Sequence, residues 1–343
     1  MAKQIITLGD VDLEMRSYDS GSCIHFGKAR CMVFDKSMRE QQKSLPKKER
    51  CKGDDTKCSY FCGSSPLVPP YDEEYLLPED LISIVCNFLK YGDNCLMFGP
   101  PGTGKTSLIN QLASLCNWGV ESFDCSEETT ADKIIGQWVV IGTEMQFIDG
   151  HVTSAMRNGF VLLENEADFM RPELRGEVHG IMDKGGQITL HAIHPKTKKI
   201  FREKLYRHPN FRWVSTANTT GYGDDLFAFH GTQYMNAASR DRYETIIKVD
   251  FKKEEEEVLI LKKKTGIDED TAEKMVRIAN DCRQSQNSMI FQFTLRRLLA
   301  WAKYWQLSGE VPATDMCVLN YCNITDRHTV ASLVRTHLAL DVS

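Results

Sequence analysis

Residues 99–107 read Gly-Pro-Pro-Gly-Thr-Gly-Lys-Thr-Ser, a Gly-x-x-x-x-Gly-Lys-Thr phosphate loop, and this run restricts the possible folds more than any other in the chain. It follows the apolar run Cys95-Leu96-Met97-Phe98 and precedes a helical pattern, Leu108-Ile109-Leu112-Leu115. A strand, a glycine-rich turn and a helix in that order are what polyphosphate binding requires. Gly99, Gly102 and Gly104 let backbone N–H groups turn inward without a Cβ clash. The helix that follows aims its positive N-terminal end at the same anion. Lys105 is spaced to reach the β and γ phosphates, and the Thr106 hydroxyl to ligate Mg²⁺. The whole run, Gly99, Pro100, Pro101, Gly102, Thr103, Gly104, Lys105, Thr106 and Ser107, is the candidate nucleotide-binding segment.

The remaining sequence must supply the sheet and helices such a loop needs, and its composition permits that. With 343 residues, 42% hydrophobic and 26% charged, it has the make-up of an ordinary globular chain of about two domains. A net charge of −5 gives no global basic field to recruit nucleic acid. No run of about 18 apolar residues is present to span a membrane. The first residues lack the apolar core and cleavage site of a secretion signal. Twelve cysteines without such a signal are expected as thiols or metal ligands in a reducing compartment, so a cytoplasmic location is expected.

Three regions separate along the chain. Residues 1–65 show weak periodicity and carry twelve Lys and Arg against nine Asp and Glu; their end is marked by Ser64-Ser65-Pro66 and Pro69-Pro70, which read as a stiff extended linker. Residues 66–251 alternate apolar runs with amphipathic stretches. Strands are expected at 95–99, 119–124, 160–165, 212–217 and 245–250, and helices at 79–90, 105–116 and 172–184. Residues 252–343 show helical periodicity alone, as in Ala272-Met275-Val276-Ala279 and Leu295-Leu298-Leu299-Ala302.

Hydrolysis needs a polarised water and a held Mg²⁺, and an acidic strand end near the loop is the place for both. Phe160-Val161-Leu162-Leu163 runs into Glu164-Asn165-Glu166. Glu166 is the candidate to orient the attacking water. The preceding position, normally an aspartate that holds the Mg²⁺ water shell, is Asn165. Its amide oxygen can still accept from metal-bound water, but it brings no negative charge. Strand alternation sends Glu164 to the opposite side. Arg212-Trp213-Val214-Ser215-Thr216-Ala217 is a strand that ends at Asn218, which suits either a water-positioning residue or a turn. Arg240 and Arg242 are candidates for an arginine finger into a neighbouring subunit, or for surface ion pairs with Asp241 or Glu244.

In their order and spacing these motifs, with the late Thr294-Leu295-Arg296, resemble the AAA+ ATPases. Within them the chain is most similar to the MoxR branch, and there to the family of the aerobic cobaltochelatase ATPase subunit (CobS), phage-encoded relatives included. The features that carry this are Asn117-Trp118, Arg171-Pro172 and His230-Gly231-Thr232-Gln233, with Asn236 before Asp241-Arg242. The resemblance implies an α/β P-loop NTPase fold, an αβα sandwich on a parallel five-stranded sheet. An all-α lid domain would follow it, and a small N-terminal extension would precede it. It implies ATP and Mg²⁺ as cofactors. Glu166 would be the catalytic glutamate, Asn218 the first sensor, Arg242 the finger acting in trans and Arg296 the second sensor. It also implies a homo-oligomeric ring, usually a hexamer, and an adaptor protein with a metal-ion-adhesion-type domain. Asn165 and the unmatched residues 1–65 depart from the family's pattern.

Further features lie outside these motifs, and two of them leave alternatives open. Cys51, Cys58 and Cys62, with Cys23, His25 and Cys31 upstream, are a loose candidate Zn²⁺ set or free thiols in an arm. Cys86, Cys95 and Cys116 fall on apolar faces, and His179, His191, His194 and His208 lack metal-ligand spacing, so both groups are expected to be structural. The family also carries an insertion before its first sensor, so the resemblance implies a basic hairpin at 187–207, where Lys196, Lys198, Lys199, Arg202, Lys204 and Arg207 stand against only Glu203. It would be a solvated hairpin or face the pore, where it could meet an acidic protein tail or nucleic acid. Three functions remain in view: a remodelling ATPase, chelatase-related or otherwise; a nucleotide-gated switch with little hydrolysis, favoured by Asn165; and a nucleic-acid motor, disfavoured by the net acidity.

Overall fold

The computed structural model describes residues 5–8, 11–14, 26–27, 30–31 and 67–342, apart from 143, 195, 223–230 and 285–291. Two short antiparallel pairs come first: β1 (Ile5–Leu8) with β2 (Val11–Glu14), and β3 (Phe26–Gly27) with β4 (Arg30–Cys31). Val11 is buried in the same core cluster as Val85, Phe88 and Leu89 of α1 (Glu79–Tyr91), so part of the N-terminal region packs on the α/β body. The cysteines at 51, 58 and 62, like Cys23, His25 and His230, lie outside the described residues.

The body is a five-stranded parallel sheet. Its strands are β5 (Cys95–Phe98), β6 (Val120–Asp124), β9 (Val161–Asn165), β12 (Arg212–Ala217) and β13 (Thr245–Lys248), in spatial order β13-β5-β12-β9-β6. Their apolar runs are continuous because both faces are covered: all six residues of β12 are buried, as are Val161, Leu162 and Leu163. One face packs on α1 and α2 (Lys105–Leu115) through Phe88, Leu108, Ile109 and Leu112. The other packs on α4 (His151–Asn158) through Val152, Ala155 and Met156, with Phe211 and Trp213 beneath. Each fully buried Val, Leu, Ile, Phe or Met among them contributes about 1.5–3 kcal/mol.

Two antiparallel hairpins leave this body. The expected basic hairpin is present as β10 (Gln187–Ile193) and β11 (Ile200–Tyr206). A second, unforeseen one follows the short α3 (Ala131–Ile134) as β7 (Gly136–Ile141) and β8 (Glu144–Asp149). The two meet where Trp138 packs on Phe147 and Phe201, at ring distances of 5.4 and 5.8 Å. Arg207 departs from the expected basic face. It turns inward and donates to the carbonyls of Ile181 and Met182 and to Asn94 Oδ1.

The single helix expected over 172–184 is instead α5 (Pro172–Glu177) and α6 (His179–Met182), broken at Val178. Gly176 and Gly180 weaken this stretch as a continuous helix. A short turn of helix, α7 (Ala237–Arg240), precedes β13 and is capped by the Asn236 side chain, which accepts from Ser239 N–H.

Among the described residues the regular elements that follow are helices: α8 (Glu254–Thr265), α9 (Glu269–Gln284), α10 (Leu295–Ser308), α11 (Glu310–Cys317) and α12 (Ile324–Leu338). Leu261, Met275, Val276, Phe293, Leu298, Trp301, Val330 and Val334 form its separate core. Among the described residues no helix is long and apolar enough to cross a membrane.

Candidate functional site

Parallel strands with covered faces leave one edge open, the crevice at their carboxyl ends. The ends of β5, β6, β9 and β12 all point there. With the start of α10 they enclose a cleft of about 850 Å³.

The phosphate loop closes the bottom of the cleft. Gly99, Gly102 and Gly104 have φ of +147°, +73° and +92°, a region closed to residues with a Cβ without strain. At Gly99 a Cβ would also lie 2.1 Å from the Val249 carbonyl oxygen. Pro101 to Ser107 line the cleft, whereas Gly99 and Pro100 turn the chain behind it. Their carbonyls accept from Lys105 Nζ at 2.7 and 2.9 Å. The Lys105 ammonium is thus folded onto the loop it would share with an anion. Burial pushes its pKa down to about 8, while the carboxylates of Asp168 and Glu166 pull the other way.

The β9 end supplies the next layer. Thr106 Oγ1 donates to Asn165 Oδ1 at 2.8 Å, so hydroxyl and amide oxygen converge at one wall. Asn165 Nδ2 donates to Asp124 Oδ1 at 3.0 Å, at the neighbouring end of β6. Glu166 is exposed in the cleft on a left-handed backbone, φ 53° and ψ 45°. For a residue with a side chain that conformation costs about 1–2 kcal/mol, a strain typical of positions held for function. Glu164 points the other way, into the core, as alternation requires. There it pairs with the buried Arg175 at 3.2 Å and accepts from Ser215, Trp213 and Tyr243.

Asn218 lines the cleft at the end of β12. Its position depends on Asp168, which the sequence reading had passed over. The buried Asp168 carboxylate accepts from the N–H groups of Asn218 and Thr219 at 3.0 and 3.1 Å and from Thr219 Oγ1 at 3.2 Å. Burial raises the Asp168 pKa and those hydrogen bonds lower it. Its place two residues beyond Glu166 was the available signal.

The helical region closes the cleft from above. Arg296, in the first turn of α10, is exposed on its wall beside Leu295 and Leu299. Thr294 caps that helix by accepting from Arg297 N–H, and a Cβ on Gly102 would sit 2.7 Å from Thr294 Cβ. Loop and α10 therefore touch. Pro69, Pro70, Asp72 and Tyr75 complete another wall, so the segment that reads as a linker is part of the site. Lys264 of α8 pairs with Asp72 at 2.8 Å.

Arg242 stands outside this cleft. Its Nε donates to Asp183 at 3.0 Å and another guanidinium nitrogen to the Ala238 carbonyl at 2.7 Å, so its ion pair is with neither Asp241 nor Glu244. Arg240 stacks on Tyr222 at 3.7 Å. Cys86, Cys95 and Cys116 are buried core thiols, as expected. Among the described residues no group of three or more His, Cys, Asp or Glu side chains is arranged to hold a metal ion; the candidate zinc ligands Cys51, Cys58 and Cys62 lie outside them.

Several known proteins and family models are similar to this chain. The family model for the AAA domain of the dynein-related subfamily matches residues 94–242. The model for the CbbQ/NirQ/NorQ C-terminal region matches residues 257–336. The chain is 26% identical over 277 residues to the aerobic cobaltochelatase subunit CobS of Sinorhizobium sp, covering 77% of this chain and 81% of that protein. It is 30% identical over 164 residues to an uncharacterised protein of Staphylococcus haemolyticus, covering 46% of this chain and 56% of the relative. A solved structure of the Thermotoga maritima RuvB Holliday junction branch migration motor aligns with a TM-score of 0.43 at 15% identity, covering 79% of this chain and 72% of that one.

Proposed function

We propose that this chain, which belongs to the MoxR-like AAA+ ATPases and is similar to CobS, hydrolyses ATP in the cleft above the phosphate loop and uses that cycle to remodel a partner protein. The observation that carries the reading is the convergence of Lys105, Thr106, Asn165, Glu166, Asn218 and Arg296 on one cleft from separate parts of the chain.

The donors suit the expected ligands. Inward-turned backbone at Gly102 and Gly104 and the Lys105 ammonium fit a polyphosphate. The convergent oxygens of Thr106 and Asn165 fit Mg²⁺, which prefers oxygen ligands and keeps several waters. Bound there, Mg²⁺ would neutralise charge on the β and γ phosphates. Lys105 would leave its loop carbonyls for the phosphates. Glu166 would accept a proton from the attacking water, and Asn218, held by Asp168, would fix that water's direction. Arg296 would reach the γ phosphate when the helical region closes. Arg242, away from its own cleft, suits a neighbour's site in a homo-oligomeric ring, in this family usually a hexamer.

Similarity to the aerobic cobaltochelatase subunit CobS supports a cobaltochelatase-like complex as the partner. The adaptor with a metal-ion-adhesion-type domain is carried over from the family resemblance, and the cytoplasmic location from the thiol-rich composition. Residues 1–65, 66–251 and 252–343 would serve as extension, nucleotide-binding core and lid.

The test is Mg²⁺-dependent phosphate release. Wild type should turn over ATP. Glu166→Gln should fall about 10²–10⁴-fold while still binding nucleotide, and Lys105→Ala should lose binding. Asn165 favours a second reading, a nucleotide-gated switch. Wild-type turnover no faster than that of Glu166→Gln would establish that reading in place of hydrolysis.

A further inference from the structure

Asn165 occupies the position where an acidic side chain is expected, yet the charge it lacks lies one hydrogen bond away. Asp124 ends β6, and the register β6–β9 sets Asp124 directly opposite Asn165. Both side chains line the cleft, and Asn165 Nδ2 donates to Asp124 Oδ1 at 3.0 Å. A carboxylate only accepts, so it selects one of the two amide orientations: nitrogen toward Asp124, oxygen toward Thr106. That oxygen accepts from Thr106 Oγ1 at 2.8 Å and from Thr216 Oγ1 at 3.4 Å. The result is a continuous line, Thr106–Asn165–Asp124, with a neutral acceptor beside the phosphate loop and a full negative charge behind it.

We propose that Asp124 is the acidic positioning residue of the Mg²⁺–nucleotide site, fixing the Asn165 amide and supplying the negative charge that Asn165 does not carry. The inference rests on the nucleotide-binding reading given above. Asp124 is exposed to the cleft, so its carboxylate stays available to the metal's water shell. The arrangement has a consequence that an ordinary acidic strand end would not have. Placing an aspartate at position 165 sets two carboxylates about 3 Å apart and breaks the amide bridge, so that change does not improve the site. Exchanging the two residues keeps one amide, one carboxylate and the bond between them.

The experiment uses the full chain and Mn²⁺ as probe, counted by electron paramagnetic resonance in the presence of ATP, with binding of a fluorescent ATP analogue in EDTA measured alongside. Asp124→Asn should weaken Mn²⁺ binding about 10–100-fold, the range for loss of a supporting ligand, and leave metal-free analogue affinity unchanged. Asn165→Asp should bind Mn²⁺ no better than wild type. The exchanged double variant, Asp124→Asn with Asn165→Asp, should recover most of the loss. The proposal is overturned if Asp124→Asn binds Mn²⁺ like wild type, if Asn165→Asp alone binds it much more tightly, or if the double variant is as weak as Asp124→Asn. It is also overturned if Asp124→Asn loses as much affinity in EDTA as in Mn²⁺, because the residue would then act on the cleft's fold. Failure of wild type to bind the analogue at all would instead sink the nucleotide reading itself.

Discussion

Lys105 should make nucleotide binding take up protons, and the amount follows from its surroundings. In the free protein, burial lowers this ammonium to about 8, with partial compensation by Asp168 and Glu166. A bound triphosphate adds several negative charges beside it and raises the pKa again, so the charged form is the one that binds. With a free pKa of about 8, roughly three quarters of the lysines are neutral near pH 8.5 and roughly a tenth near pH 7. Binding should therefore absorb about 0.75 proton at the higher pH and about 0.1 at the lower. The sign for affinity follows. Affinity is full below the free pKa and falls, by up to about tenfold per pH unit, as pH rises from about 8 toward the bound pKa. Calorimetric titration of ATP in buffers with different ionisation enthalpies reads the proton number directly. Lys105→Arg, charged throughout this range, should abolish the uptake whatever it does to affinity. Equal proton numbers at both pH values, or persistence of the uptake in Lys105→Arg, would refute the reasoning.

Two further predictions concern what holds the site in place. Glu164→Ala should cost about 3–5 kcal/mol in denaturant unfolding, because it strands the fully buried Arg175, whereas Glu164→Leu combined with Arg175→Met should cost less, what remains coming from the Ser215, Trp213 and Tyr243 donors that lose their acceptor. Equal losses in the single and double variants would count against the pair as the source. Gly99→Ala should destabilise by about 1–3 kcal/mol and abolish ATP binding, since its Cβ meets the Val249 carbonyl, while Gly142→Ala, with φ +65° but open space around it, should leave ATP affinity unchanged.

How far sequence reached depended on whether a contact was local. The sheet was legible because Leu96-Met97, Val161-Leu162-Leu163 and Trp213-Val214 are continuous apolar runs, the pattern of strands covered on both faces. The basic hairpin at 187–207 was legible from the family's insertion before the first sensor and from its run of Lys and Arg. Its partner at 136–149 was not, because its strands are half exposed and carry no strong hairpin signal such as Asn-Gly. The break at Val178 reflects glycines that periodicity ignores. Asp124 and Asp168 were missed for a different reason. Asp124 meets Asn165 from 41 residues away, and Asp168 meets Asn218 from 50, so both roles exist only once β6, β9 and β12 lie side by side. The same holds for Pro69 and Pro70, whose composition says linker and whose place in the fold says cleft wall.

The proposed ATPase cycle, in which the cleft's Glu166 acts together with a neighbour's Arg242, is tested most directly by mixing two inactive variants. Glu166→Gln subunits keep the finger and Arg242→Ala subunits keep the glutamate. In equal mixture about a quarter of interfaces would pair an intact glutamate with an intact finger, so phosphate release should recover to about a quarter of the wild-type rate. A mixture no more active than the mean of its two parents would contradict the account.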